Sequence, residues 1–437
     1  MRTAFDAVIV GAGPAGSSAA ILLARAGWSV ALVEKQAFPR RKVCGECVAA
    51  SNLPLLDALG VGEAFAARAG PPLRQVALMR GERSIVAALP AADDARHPWG
   101  CALGRETLDP LLVGAARRAG AHVFQPWSAQ AIEGGPGAWR CTVRPVGAGP
   151  GALELRAPVA IDAHGSWEAL PAGRARRRYG RGAGELLAFK ANFTGVDLDE
   201  GLLPVLSFPG GYGGMVVADG GVTTLAACVR RDRLEAWRRV RPGVPAGEVV
   251  EAMLRRQCGG VRTALERAHR EGAWLAAGPL DPGIRLRADD TLLRIGNAAG
   301  EAHPIIGEGM SMALQSSWLL CAELLAPAFD PRGAMRQRAL ARRYAQAWRH
   351  AFAPRLRLAA LFAHAAMRPA ASALLMPLAA RWPALLTHGA RWGGKITLLA
   401  DAATTDSLPA LAAMADADAA LRRGSPVDAR RSMRSPP

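Results

Sequence analysis

Lysine is nearly missing from this chain. Lys35, Lys42, Lys190 and Lys395 are the only four among 437 residues, so a formal net charge of +17 rests almost wholly on arginine. A basic excess of this size usually marks a nucleic-acid or anionic-surface partner. No nucleic-acid motif accompanies it, and the arginine comes with abundant alanine, glycine and proline, the pattern of a GC-rich coding bias. No nucleic-acid partner is expected. No uninterrupted run of 18 apolar residues occurs, which excludes a plain spanning helix. The first strand pattern starts at Phe5, leaving no room for a signal peptide, so a cytoplasmic location is expected. The seven cysteines are odd in number and scattered, which argues against a disulfide framework. Cys44 and Cys47 form a CxxC, but no second CxxC or CxxH completes four zinc ligands, so no metal is expected. No Ser/His/Asp or paired-carboxylate set stands out, and there is no internal repeat. Hydrophobic residues make up 50% of the chain, enough for a large core and two or three domains.

What is present begins at once. The apolar run Ala7-Val8-Ile9-Val10 leads into Gly11-Ala12-Gly13-Pro14-Ala15-Gly16, then a helical pattern closed by Gly27, then Val30-Ala31-Leu32-Val33-Glu34. This is the dinucleotide-binding βαβ fingerprint. Gly11 permits the tight turn, Gly13 lets backbone approach a pyrophosphate, and Gly16 lets helix and strand pack closely. The helix N-terminus faces phosphate charge. Glu34 stands about 20 residues on, where an acid accepts hydrogen bonds from a ribose.

Three further segments narrow the class: Lys35 to Cys47 with its Arg40-Arg41-Lys42-Val43-Cys44-Gly45, Gly104-Arg105-Glu106-Thr107-Leu108-Asp109, and Gly296-Asn297-Ala298-Ala299-Gly300 followed by Pro304, Gly307, Glu308, Gly309 and Met310. Over roughly residues 4–320 the chain resembles the FAD-dependent oxidoreductases of the p-hydroxybenzoate hydroxylase fold, and within them the geranylgeranyl reductase-like branch. The resemblance implies an α/β protein: a Rossmann-like FAD-binding domain, an antiparallel-sheet substrate domain and a C-terminal helical region. It also implies FAD as cofactor and NAD(P)H as electron donor.

Pattern and resemblance together place the FAD domain at 1–72, 105–168 and 285–330, and the substrate domain at 73–104 and 169–284. A helical region follows at 331–421 and a disordered tail at 422–437. Residues 231–270 read as helical. Pro354, Pro369, Pro377 and Pro383 are expected to break the C-terminal region into short helices. Leucines and methionines between 356 and 386 are expected to cover the sheet; an amphipathic surface in peripheral contact with membrane or lipid stays open as the other reading.

The residues implied to hold FAD are Gly11, Gly13, Ala15, Gly16, Glu34, Lys35, Arg41, Cys44, Gly45, Arg105, Gly296, Asn297, Pro304, Gly307, Gly309 and Met310. Asn297 stands where the family has an aspartate on a ribityl hydroxyl. The turn at 307–310 brings N–H groups to the flavin edge, where negative charge develops on reduction. His164 departs from the aspartate of related hydroxylases, and is either a phosphate donor or a structural histidine. Cys44 is expected to line the flavin cavity, a redox dithiol with Cys47 being the alternative. Tyr212, in the glycine-rich segment 208–214, is the second catalytic candidate. The Trp-x-Trp-x-Ile-Pro signature of flavin halogenases is absent, which argues against halogenation. The expected function is NAD(P)H-driven monooxygenation of a small apolar aromatic, polyketide-like or isoprenoid substrate. Reduction of an isoprenoid C=C bond is the alternative, and a non-catalytic FAD-binding or membrane-docking protein is the alternative of another class.

Overall fold

Residues 2–147, 151–166, 182–287, 289–327 and 329–393 are described by a computed structural model. The tail expected at 422–437 and the stretch 394–421 of the expected helical region lie outside them. Five parallel strands run in the order Leu293–Arg294, Val159–Asp162, Ala7–Val10, Val30–Val33 and His122–Phe124. The central three are continuously buried and apolar except for Asp162 at the end of one, as strands covered on both faces must be. Strand order reverses at Ala7–Val10, and the crevice beyond the carboxyl ends of strands at such a reversal is where α/β sheets bind ligands. A three-stranded antiparallel sheet, Trp127–Gly135, Ala138–Pro145 and Leu153–Ala157, packs on this half. Pro136 and Gly137 make its first hairpin.

The second layer is a seven-stranded sheet ordered His269–Ala277, Leu186–Thr194, Val222–Arg230, Gly211–Ala218, Leu202–Phe208, Gln75–Arg80 and Arg83–Ala88. Every pairing is antiparallel except that of Leu202–Phe208 with Gln75–Arg80. Alternation along Leu186–Thr194 separates two faces. Phe189, Ala191 and Phe193 pack against helices Arg231–Arg239, Ala246–Gln257 and Gly259–Ala264. Leu186 and Ala188 join Tyr212 and Cys228 on the opposite face. The fold is therefore the α/β arrangement expected: a parallel FAD-type half, an antiparallel sheet and C-terminal helices. The helical pattern expected to run to residue 270 stops earlier. His269–Ala277 is an edge strand, hidden in the sequence because it lacks a clean apolar alternation.

A larger difference lies in the C-terminal region. Ala334–Met367 is one helix of 34 residues that runs straight through Pro354, and Pro377 sits inside Pro369–Arg381. A mid-helix proline costs about 3 kcal/mol, but the same turns bury Phe352 and Leu356, each contributing about 1.5–3 kcal/mol. Packing outweighs the breaker. Only Pro369 and Pro383 stand at helix starts, where a missing N–H costs nothing. The long helix ties the layers together: Tyr344 donates to the Arg294 carbonyl at 2.8 Å, while the Ala366 carbonyl accepts from Ser207 at 2.9 Å. No single helix among the described residues is long and apolar enough to cross a membrane. Ala334–Met367 and Pro369–Arg381 meet that measure only together, and they are bent by 102°.

Candidate active site

Strand Ala7–Val10 ends at Gly11, whose φ of +103° is open to glycine and strained for other residues. A Cβ there would strike the Ala163 carbonyl, and one at Gly16 would strike the Gly11 carbonyl. These two glycines make the turn rather than line the space beyond it. Glu34 is buried behind the turn. Its carboxylate accepts from Ala12 N at 2.9 Å and Gln36 N at 2.8 Å, holding the loop closed. Helix Pro14–Arg25 starts with its N–H groups facing the crevice.

From this turn a cavity of about 510 Å³ continues under the seven-stranded sheet to the C-terminal helices. Gly13, Ala15, Cys44, Gly45, Arg105 and Asn297 line its cradle end, and Gly296, Pro304, Gly307, Gly309 and Met310 form the adjoining wall. Gly307 has φ +65° and leads into helix Gly309–Leu324, whose first turn aims N–H groups at the same space. Asn297 donates to Ser166 Oγ at 2.7 Å. Farther on, Val76, Leu78, Val205, Met215, Phe362 and Leu386 make an apolar chamber.

Cations gather at the cradle. Arg105, itself buried, grips Asp109 through two hydrogen bonds of 2.6 and 2.7 Å, and Arg40 lies 3.7 Å from both Glu34 and Asp109. Lys42 lines the cavity, its ammonium pushed down to about 8 by burial and then by the charges of Arg105 and Arg40. An anion entering here would relieve that crowding. Arg41 takes a different place from the one expected: it lies on the surface, donating to Glu106 at 2.9 Å and to the Glu271 carbonyl at 2.8 Å. Neighbours alternate in direction along this extended loop, so Arg41 turns outward where Arg40 and Lys42 turn inward. Lys35 is exposed and outside the cavity lining.

His164 pairs with Asp162, which also faces Arg294 at 3.6 Å, and stays outside the lining. Cys44 Sγ accepts from Glu46 N at 3.4 Å, and Cys47 reaches the same cavity. All seven cysteines are free thiols. No group of three or more His, Cys, Asp or Glu side chains suited to a metal ion occurs among the described residues.

Two features escaped the sequence reading. Glu46 has φ +58°, the one positive value at a non-glycine among the described residues, and is buried. It accepts from Lys190 Nζ, from Thr224 Oγ1 at 2.5 Å and from Arg105 N at 2.9 Å. This carboxylate thus joins the Cys44 loop, the Arg105 helix and the antiparallel sheet. A lone lysine inside the apolar run at 186–193 was the available signal. The second feature is His303, buried beside Pro304, with Nδ1 3.0 Å from Tyr212 Oη. Burial, then His364, pushes its imidazole down to about 4, and burial pushes the Tyr212 phenol well up.

The cradle suits a dinucleotide: backbone N–H groups, inward cations, a buried acid at the end of the second strand and, at Gly309, open space where a Cβ would meet nothing within 4 Å. Residues 4–351 match the family model of the FAD binding domain, and the chain belongs to that family. It is an FAD-binding protein.

Among relatives, a tryptophan 2-halogenase of Chondromyces crocatus is 38% identical over 120 residues, 27% of this chain and 22% of the halogenase. A menaquinone reductase of Mycolicibacterium smegmatis is 48% identical over 61 residues, 14% of this chain and 15% of the reductase. The chain thus matches under a quarter of the length of either. Among solved structures, the myxobacterial chondrochloren halogenase CndH superposes with a TM-score of 0.68 at 18% identity, covering 95% of this chain and 98% of that one. For pqsL, a probable FAD-dependent monooxygenase from Pseudomonas aeruginosa, the values are 0.62, 16%, 90% and 99%. A geranylgeranyl bacteriochlorophyll reductase-like protein from Thermoplasma acidophilum gives 0.61, 17%, 93% and 96%. At these identities the structures share a fold, and the reductase-like branch is one distant neighbour among several.

Proposed function

We propose that this protein is an NAD(P)H-driven monooxygenase that hydroxylates or epoxidises a small apolar aromatic, polyketide-like or isoprenoid molecule. The observation that carries the reading is the continuity of an apolar chamber with the nucleotide cradle. FAD, when bound, supplies electron transfer and oxygen activation. The chain supplies the rest. Lys42, Arg40 and Arg105 would face the pyrophosphate, Glu34 the ribose, and Asn297 with Ser166 the ribityl chain. The N–H groups at 307–310 would stabilise negative charge on the flavin edge. Cys44, Gly45 and Tyr212 wall the reacting space, and the apolar side chains beyond exclude water and orient the substrate.

Reduction of a C=C bond is the second reading. The Cys44-Gly45 segment and the menaquinone reductase match favour it. Halogenase relatives support the fold, but the tryptophan-rich halogenase signature is absent from the 437 residues. Turnover under ¹⁸O₂ separates the readings. One ¹⁸O atom in the product supports oxygenation; two added hydrogens without ¹⁸O supports reduction and overturns it.

The chamber's far end is closed by helices Pro369–Arg381 and Ala384–Trp392; they and Trp382 between them expose Leu374, Trp382 and Trp392 beside Arg381 and Arg391. This supports peripheral contact with an anionic membrane as the route for an apolar substrate. Co-sedimentation with phosphatidylglycerol vesicles, lost in Trp382→Ser/Trp392→Ser, tests it. Equal pelleting of wild type and variant would refute the contact.

A further inference from the structure

The turn that walls the cavity at Gly307 and Gly309 carries a carboxylate on its hidden side. Glu308, between those glycines, is fully buried and stays outside the cavity lining. It is the N-cap of helix Gly309–Leu324, and its carbonyl accepts from Met312 N at 2.9 Å. Its Oε2 accepts from Arg355 Nη1 at 3.0 Å. Arg355 is buried too, and it reaches the turn from Ala334–Met367, one residue past the proline that this helix runs through.

Stability alone is a weak reason for such a pair. Taking two charges out of water is costly, and packed apolar side chains of similar volume often serve as well. The cavity gives a better one. N–H groups at the start of Gly309–Leu324 favour an anion beside them. A lone carboxylate on the same turn would oppose that field at short range, with little water to screen it. Arg355 supplies the compensating charge. Glu301, which lines the cavity nearby, is matched in the same way, accepting from Arg285 at 2.5 Å.

We propose that the Arg355–Glu308 pair sets the reduction potential of the bound flavin, Arg355 cancelling the charge that Glu308 would otherwise present to it. The proposal rests on the reading that the turn at 307–310 meets the flavin edge where negative charge develops, and it holds whichever reaction follows. Neither side chain lines the cavity, so both are positioning residues that act through the turn. Glu308 fixes the start of the helix, and Arg355 fixes the charge felt there.

Midpoint potentials at pH 8, measured against a reference dye after each variant is checked for flavin content, test the pair. Glu308→Gln leaves the Arg355 charge alone and should favour reduced flavin by at least about tenfold, about 30 mV for a two-electron couple. Arg355→Met leaves the Glu308 charge alone and should shift the equilibrium the other way by a similar factor. The double variant should fall between the two, and Arg355→Lys, which keeps the charge, should stay nearest wild type. A purely structural pair would move both single variants in the same direction or neither, and either result overturns the proposal. Should Arg355→Met not fold, Glu308→Gln decides: a potential unmoved from wild type overturns it. Gly309→Val tests the placement of the turn separately, because its side chain would enter the open space beside the cradle. Flavin lost from Gly309→Val, with potentials unmoved in the pair variants, overturns the role of the pair alone. Wild-type flavin content in Gly309→Val defeats the placement and the proposal together.

Discussion

If Lys42 greets a pyrophosphate, FAD affinity must depend on its charge. Its ammonium is held down to about 8, first by burial and then by the charges of Arg105 and Arg40. A bound diphosphate neutralises this crowding and raises the value in the complex. Binding is then linked to the protonated form: affinity is full below pH 8 and falls as pH rises through 8, until the raised value in the complex is reached. At pH 9 about nine in ten free cradles carry neutral Lys42, so the dissociation constant should rise about tenfold from pH 7, or ~1.4 kcal/mol. Apoprotein fluorescence titration with FAD at both pH values measures it. Lys42→Met should bind weakly at pH 7 and show no such slope. A wild-type affinity flat from pH 7 to 9, or a slope that persists in Lys42→Met, would refute the assignment. The same shift has a sign in folding. Because the unfolded amine binds its proton up to about 10.5, burying a charged Lys42 opposes folding of the apoprotein below pH 8. That penalty fades as pH rises from 8 to 10.5.

Gly13→Val should strip flavin from the protein: even a Cβ at residue 13 would stand 3.3 Å from the Arg105 guanidinium, and the branches would occupy the phosphate approach. Flavin occupancy at the wild-type level would count against the cradle. Lys190→Met leaves Glu46 buried beside Thr224 without its cation and should cost about 3–5 kcal/mol in urea unfolding, with much of the loss recovered in Lys190→Met/Glu46→Gln. An additive double variant would show that the pair does not act as a unit. Cys44→Ser should shift the flavin absorbance, and anaerobic dithionite titration should take up two electrons per FAD. Four, falling to two in Cys44→Ser or Cys47→Ser, would instead establish a dithiol.

Local patterns were the legible ones. The turn at Gly11–Gly16, the acid at Glu34 and the late segment from Gly296 to Met310 carry their own geometry, and Gly13, Ala15, Gly296, Asn297, Pro304, Gly307, Gly309 and Met310 line one cavity. Loop direction was not legible: nothing in Arg40-Arg41-Lys42 says which side chains turn inward, and only the partners of Arg41, at Glu106 and Glu271, decide it. Long-range pairs were hidden for the same reason. Glu46 meets Lys190 from 144 positions away, and Tyr212 meets His303 from 91. Pro354 misled because a breaker is a local signal, while the burial of Phe352 and Leu356 that overrides it depends on the whole fold.

The most direct test is the flavin content of the purified chain. Acid precipitation should release one FAD per polypeptide into the supernatant, with none left on the protein, and the apoprotein should rebind FAD at the same ratio. A colourless protein whose correctly folded apo form takes up no FAD would contradict the account.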